Sequence, residues 1–330
     1  MIEVKGLTKR YGERTAIDNL TFHASKGEVV GFLGPNGAGK TTTMRILTGY
    51  MPASEGEGKV AGFDLMTQSF EVRKRVGYLP ESVPLYPEMT VMQYLDFMSE
   101  LRQIPSRQDR VDEVMEMVRI ADRADSYIGN LSKGLRQRVG LAQALLHKPD
   151  VLIMDEPMDG LDPQQQLEVK RLIREIGKEH TVMLSTHILS HAEELADRVI
   201  IIKGGKIVAE DRPERLSAQR AGGGRVHLQV AGDGAGLVEH LGALPGLSQV
   251  RAVSDGTFEI DTLPGADVRG AIATSVVTGG WQLLELRRDA ASLEQIFIEL
   301  TGAAPASVSE SAAADEPAET PAVEEGDEHA

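Results

Sequence analysis

The 330-residue sequence contains no cysteine at all. That excludes a disulfide scaffold, a thiolate zinc site, an iron–sulfur cluster and a cysteine nucleophile. No apolar run approaches the roughly 18 residues needed to cross a bilayer. The opening residues Met1-Ile2-Glu3-Val4-Lys5 also lack the apolar core of a signal peptide. A cytoplasmic protein is expected. Positive charge is the minority sign, with 35 Lys and Arg against 50 Asp and Glu and a formal charge of -15. This argues against a broad nucleic-acid surface, and no nucleic-acid partner is expected. At roughly 150 residues per domain the length suits about two domains.

The negative charge is unevenly placed. Between Ala303 and Ala330 there are eight acids and no Lys or Arg, among mostly Ala, Pro and Ser, which leaves only seven net charges on residues 1–302. Such a segment cannot bury enough apolar surface to offset its chain entropy, so 303–330 reads as a disordered acidic tail.

Strand-like apolar runs alternate with helix-like segments through the first two thirds: Gly27 to Leu33 then Lys40 to Thr48, Val151 to Met154 then Pro163 to Gly177, and Thr181 to Ser185 then Leu189 to Asp197. This alternation predicts an α/β fold with parallel strands and crossover helices. Val199 to Lys203 and Lys206 to Glu210 flank Gly204-Gly205, the pattern of a hairpin at an antiparallel edge. Between about residues 80 and 148 the pattern is mostly helical, broken by Pro80, Pro84, Pro87 and Pro105, which suggests an inserted helical subdomain. Residues 218–224 have linker composition. Residues 225–302 then read as strand, helix, a hairpin turned at Asp255-Gly256, helix, strand and a closing helix from Ser292 to Leu300. That βαββαβ order predicts a small ferredoxin-like α+β module.

The strongest chemical signal is Gly34-Pro35-Asn36-Gly37-Ala38-Gly39-Lys40-Thr41, placed between a predicted strand and a predicted helix. It has the pattern of a phosphate-binding P-loop. Glycines allow consecutive backbone N–H groups to turn inward around phosphate oxygens, and the helix N-terminus adds the positive end of its dipole. Lys40 would reach the β- and γ-phosphates and the Thr41 hydroxyl would hold magnesium. Downstream, Val151-Leu152-Ile153-Met154 delivers two adjacent carboxylates, Asp155 and Glu156. Strand alternation would send them in opposite directions, one to support Mg2+ and the other to polarise water.

Between these motifs lies Leu131-Ser132-Lys133-Gly134-Leu135-Arg136-Gln137-Arg138, which resembles the signature motif of ATP-binding cassette (ABC) ATPases. The resemblance covers about residues 2–217. The motifs stand in family order: Tyr11, the phosphate loop, the signature, the carboxylate pair, Gly160-Leu161-Asp162, and His187. It is most similar to single-cassette ATPases serving exporters and gliding-motility systems, in which a small C-terminal extension is common. The resemblance implies a head-to-tail dimer with ATP between the phosphate loop of one cassette and the signature of the other. A chain with one of each must pair with a second cassette, most simply as a homodimer.

The remaining roles follow from the same resemblance. Tyr11 matches the aromatic that stacks on adenine, with a packed edge tyrosine as the alternative. The nucleotide set runs over Gly34, Pro35, Asn36, Gly37, Ala38, Gly39, Lys40, Thr41 and Thr42 in cis, with Ser132 and Gly134 in trans. His187, 31 residues beyond Glu156, matches the histidine that contacts the γ-phosphate and orients water. Asp162 matches a residue bridging the dimer interface, and a helix N-cap before Pro163 is an equally physical reading. Glu156 would be the general base, with Lys40 and His187 as its catalytic companions and Thr41, Asp155 and Glu81 around the magnesium.

Two positions depart from the family pattern. Glu81 stands where glutamine is usual, so a carboxylate replaces a neutral amide beside the γ-phosphate. It would ligate magnesium directly, stay protonated until the dimer opens, or read its partner differently. The resembling branch carries the same change, so inactivation is not implied. Lys133 and Leu135 replace the usual glycine and glutamine of the signature. Lys133 is either a charge near the trans phosphates or a solvated lysine.

Met89, Met92, Met98, Met115 and Met117 in the helical insert read as core, or as a pliable groove for a helix of a membrane partner with Pro84-Leu85-Tyr86 at its rim. The resemblance makes this the docking region. The expected function is therefore the ATP-hydrolysing subunit of an ABC transporter, peripheral at the inner face of the cell membrane and energising export through a separately encoded integral membrane permease. The alternative is a soluble ABC-type ATPase acting in DNA repair or translation.

Overall fold

The computed structural model describes residues 1–213, 215, 216, 225–263, 268–289 and 297. The expected linker 218–224, the tail 303–330 and, apart from Phe297, the closing helix lie outside the described residues. No helix among the described residues is long and apolar enough to cross a membrane.

The centre of the fold is a six-stranded sheet. Its strands are β3 (Val29–Leu33), β6 (Val76–Leu79), β7 (Val151–Asp155), β8 (Thr181–Thr186), β9 (Arg198–Lys203) and β10 (Lys206–Asp211). The spatial order is β10-β9-β3-β8-β7-β6, parallel except for the β9–β10 hairpin at the edge. Every residue of β3, β7 and β8 is buried, as expected of parallel strands covered on both faces. Their side chains alternate between two cores. Val151, Ile153 and Met183 pack with α1 (Lys40–Leu47), whereas Leu152, Met154, Val182 and Leu184 pack with α6 (Pro163–Gly177) and the helical insert.

The first 64 residues add a second sheet that the run of apolar segments does not predict. β1 (Ile2–Tyr11), β2 (Arg14–Ala24), β4 (Glu55–Val60) and β5 (Phe63–Asp64) form an antiparallel sheet in the order β2-β1-β4-β5. Period-two burial was its available signal: Ile2 and Val4, and Leu20, Phe22 and Ala24, turn inward while their neighbours are exposed. The inward side chains share one core with Phe32, Met44 and Ile202, which holds α1 between the two sheets.

After α2 (Ser69–Arg75) and β6 the chain enters the insert, built of α3 (Val91–Leu101), α4 (Arg107–Met117) and α5 (Lys133–Leu145). Thr90 caps α3 with a reciprocal capping box to Gln93. Met115 is buried, and Met89, Met92, Met98 and Met117 pack partly buried against the same core, which favours the core reading of these methionines.

α7 (Leu189–Leu195) follows β8. Residues 225–289 run in the order βαββαβ: β11 (Arg225–Val230), α8 (Leu237–Gly242), β12 (Leu247–Ser254), β13 (Thr257–Thr262), α9 (Arg269–Thr278) and β14 (Leu283–Asp289). The antiparallel order β12-β13-β11-β14 is the ferredoxin-like arrangement that the element order predicts. Leu228, Phe258 and Ile260 of the strands pack there on Leu237, Leu241, Ile272 and Val276 of the helices.

Candidate active site

β3 ends at Leu33, and the loop from Gly34 to Gly39 turns directly into α1. Two of its glycines are sterically required. A Cβ at Gly34 would lie 2.5 Å from the Ile202 carbonyl oxygen. Gly39 holds φ +112°, and a Cβ there would meet Ile17 at 2.7 Å and the Ala16 carbonyl at 2.8 Å. The loop is therefore clamped between β2 and β9 with its amides at the N-terminus of α1.

A cavity of about 430 Å³ opens over this loop, lined by Asn36, Gly37, Gly39, Lys40, Thr41 and Thr42 together with Glu81, Glu156 and His187. Three chemical groups far apart in sequence meet in it. The Lys40 ammonium donates to the Gly34 carbonyl at 2.7 Å and lies 3.1 Å from Glu156 Oε1. Glu156 Oε2 accepts from His187 Nδ1 at 3.0 Å. Lys40 is 5 % exposed and Glu156 8 %, so the ion pair is sheltered from water.

Burial alone would raise the Glu156 carboxyl most, but the His187 hydrogen bond and the Lys40 charge outweigh it and hold the group below its ordinary value. His187 is pushed above its ordinary value by its hydrogen bond to Glu156, which overcomes burial and the nearby Lys40 charge. With Nδ1 engaged, Nε2 is the ring nitrogen left to meet a ligand.

Asp155 and Glu156 do diverge, for a different reason from the strand alternation expected. Asp155 is the last residue of β7, whereas Glu156 has left the strand in the left-handed region at φ 46°. A turn at Glu156 swings its side chain toward Lys40, and Asp155 stays on the sheet, hydrogen-bonded through Oδ1 to the Ser185 hydroxyl. Asp155 Oδ2 is buried with no hydrogen-bond partner among the described residues. A buried orphan carboxylate oxygen at the end of β7 fits a hard cation such as Mg2+.

Eight expected residues do not line the cavity: Gly34, Pro35 and Ala38 of the loop, Asp155 behind it on β7, and Tyr11, Ser132, Gly134 and Asp162. Tyr11 stands at the end of β1, 48 % exposed, its hydroxyl donating to Met51 Sδ at 3.1 Å. Ser132 is the N-cap of α5 and accepts from the Leu135 N–H. Gly134 is buried against Gln165, whose Oε1 lies 2.6 Å from where a Cβ would be. Asp162 is the N-cap of α6, its Oδ1 accepting from the Gln165 N–H at 2.8 Å, so the capping reading holds. Lys133 faces Asp159 of its own chain at 3.8 Å.

Arg14, Ala16 and Asp159 line the cavity and were not expected there. Arg14 enters from the β1–β2 hairpin, where it pairs with Tyr11. Asp159 sits between Glu156 and Asp162, and the same turn carries it in.

Comparison with known proteins sharpens this picture. Residues 17–159 match the ABC transporter family model. The chain is 35% identical over 308 residues to Nod factor export ATP-binding protein I of Ralstonia nicotianae, covering 92% of this chain and 94% of that one. This chain belongs to the ATP-binding subunits of ABC transporters. The ABC subunit is also 33% identical to the daunorubicin resistance ATP-binding protein DrrA3 of Streptomyces coeruleorubidus, over 91% of this chain and 96% of the relative. Among solved structures it resembles a dimeric post-hydrolysis state of the ATP-binding cassette MJ0796 bound to ADP and phosphate. That match has a TM-score of 0.59 at 25% identity and covers 64% of this chain and 98% of the cassette. The subunit is thus an ABC cassette ATPase, and a role in DNA repair or translation is not favoured. Cassettes of this family dimerise and work with a membrane permease.

Proposed function

We propose that this subunit binds ATP with magnesium over the phosphate loop and hydrolyses it, with Glu156 as general base, to drive export through a separately encoded membrane permease. The observation that carries the reading is the row Lys40–Glu156–His187 at the mouth of the loop. Loop amides, the start of α1 and Lys40 supply positive charge for the phosphates. In the free site Glu156 is held ionised by Lys40 and His187. Phosphate oxygens competing for Lys40 would weaken that hold and move the Glu156 carboxyl back up, making it a stronger base when substrate is present. His187, anchored through Nδ1, would present Nε2 to the γ-phosphate and orient the attacking water.

Thr41, Asp155 and Glu81 would hold the magnesium, Asp155 through its unpartnered Oδ2. When bound, the ion neutralises charge on the transferring phosphate.

Ser132 and Gly134, at the N-terminus of α5, fall outside their own chain's cavity, which supports their serving the ATP of a second, identical cassette. Tyr11 would stack on adenine, and Asp162, beyond its capping role, would meet the partner cassette. Tyr86, 44 % exposed and packed edge-on to Tyr94, supports a docking rim for the permease next to Glu81. The names of the relatives, in Nod factor export and daunorubicin resistance, support export and a place at the inner face of the membrane. On this reading residues 1–217 are the cassette, and the 225–302 module has a regulatory or dimerising role.

Glu156→Gln tests the proposal. ATP binding is expected to persist while hydrolysis falls by about 10²–10⁴-fold and a nucleotide-bound dimer accumulates. Wild-type turnover in that variant would remove Glu156 from the mechanism.

A further inference from the structure

We infer that Ser185 is a positioning residue for the magnesium site, its one hydroxyl orienting the Asp155 carboxylate and anchoring the backbone of Glu156. The inference rests on the magnesium–ATP reading given above.

β7 and β8 run parallel with Asp155 directly beside Ser185 in the register. Ser185 is 0 % exposed and Asp155 1 %. Ahead of it β8 reads Val182-Met183-Leu184, so the hydroxyl follows directly on an apolar run of the strand. Its bonds explain the choice. The hydroxyl donates to Asp155 Oδ1 at 2.5 Å and accepts from the Glu156 N–H at 3.0 Å. A serine has one proton to give and lone pairs to receive, so a single side chain satisfies both neighbours.

The first bond fixes the plane of the Asp155 carboxylate, and with it the direction of Oδ2, the buried oxygen that has no partner. The second ties down the backbone at the point where Glu156 takes φ 46°, a left-handed conformation that is unfavourable for a residue with a Cβ. Removing the hydroxyl would leave a second carboxylate oxygen and a backbone N–H buried and unpaired, and would free Asp155 to rotate. Partners in this outer position typically contribute about 10–100-fold to metal affinity.

The test compares Ser185→Thr with Ser185→Val in the full chain, two side chains of nearly equal shape that differ in the hydroxyl. The rise in melting temperature produced by a non-hydrolysable ATP analogue is measured in EDTA and across a Mg2+ titration. In EDTA the two variants are expected to respond alike. With metal, the Mg2+ concentration for half the full shift should rise about tenfold in Ser185→Val and stay near wild type in Ser185→Thr. Equal Mg2+ midpoints in the two variants would overturn the inference, as would an equal loss of nucleotide response with and without metal, which a merely structural role would produce. Should Ser185→Val not fold, Ser185→Ala is titrated in its place with the same outcomes. A wild-type protein showing no nucleotide-induced shift at all would instead defeat the magnesium–ATP reading beneath it.

Discussion

His187 Nδ1 lies 3.0 Å from Glu156 Oε2, joining two side chains that are 31 residues apart in the chain. Each shifts the other, Glu156 downward from 4.5 and His187 upward from 6.5. Glu156 contributes stability that is present above pH 4.5 and lost as pH falls through its folded value. His187 contributes stability that is present below pH 6.5 and lost as pH rises through its folded value. Both contributions are full between pH 4.5 and 6.5. His187→Ala should therefore lower the melting temperature of the nucleotide-free protein most in that window. The loss should be about 1 kcal/mol after allowing for the partial exposure of the imidazole, narrowing above it. Thermal melts across pH check this. ATP hydrolysis in the same variant should fall by at least about tenfold while nucleotide binding persists.

Glu81 lines the cavity and is itself exposed. A carboxylate facing the site of a polyphosphate repels it, weakly at this exposure and less at high salt. Glu81→Gln is expected to tighten binding of metal-free nucleotide a few-fold at low ionic strength, to lessen the gain that Mg2+ brings, and to alter turnover. Nucleotide titrations at two salt concentrations, with ATPase rates alongside, decide it. No change in rate or affinity would show that Glu81 does not tune the site.

A different residue adds to the loss of stability in acid. His147 Nε2 donates to the Val76 carbonyl at 3.1 Å, while Nδ1 is buried with no partner among the described residues. Burial, reinforced by the Arg102 charge, pushes its pKa down to about 4. A proton added at Nδ1 would have no acceptor, so the neutral ring belongs to the fold. The sign follows. His147 supports full stability above pH 6.5, and that support is lost as pH falls toward about 4. The loss from this one group is about 3 kcal/mol. His147→Gln keeps a donor for Val76 and removes the titration. Its stability should fall less steeply between pH 6.5 and 4 than that of the wild type, measured by urea unfolding at each pH.

Gly34→Ala places a methyl 2.5 Å from the Ile202 carbonyl oxygen. Because that contact is with backbone, β9 cannot yield cheaply. A destabilisation of about 1–3 kcal/mol is expected, with loss of nucleotide binding as the loop amides turn away. Calorimetry and a fluorescent nucleotide titration would detect both effects, and intact binding would mean the loop tolerates the displacement.

Much of the site was legible because its signals are local. The spacing of glycines before Lys40, the apolar run ending at Asp155, the placement of His187 after a strand and the βαββαβ order of residues 225–289 are all consequences of short-range covalent geometry and side-chain period. Only the folded chain decided the rest. The antiparallel sheet that clamps Gly39, the left-handed turn that aims Glu156 at Lys40, the entry of Arg14 and Asp159 into the cavity, and the hydroxyl of Ser185 bridging two carboxylate-bearing residues each depend on strand order and register. The Lys40–Glu156 pair alone joins segments 116 residues apart, and no local pattern encodes such a distance. The sequence determined which chemical groups this ABC subunit carries. The parallel ladder of β3, β7 and β8, which ends all three strands on one edge, decided that those groups meet and which oxygen of Asp155 remains free.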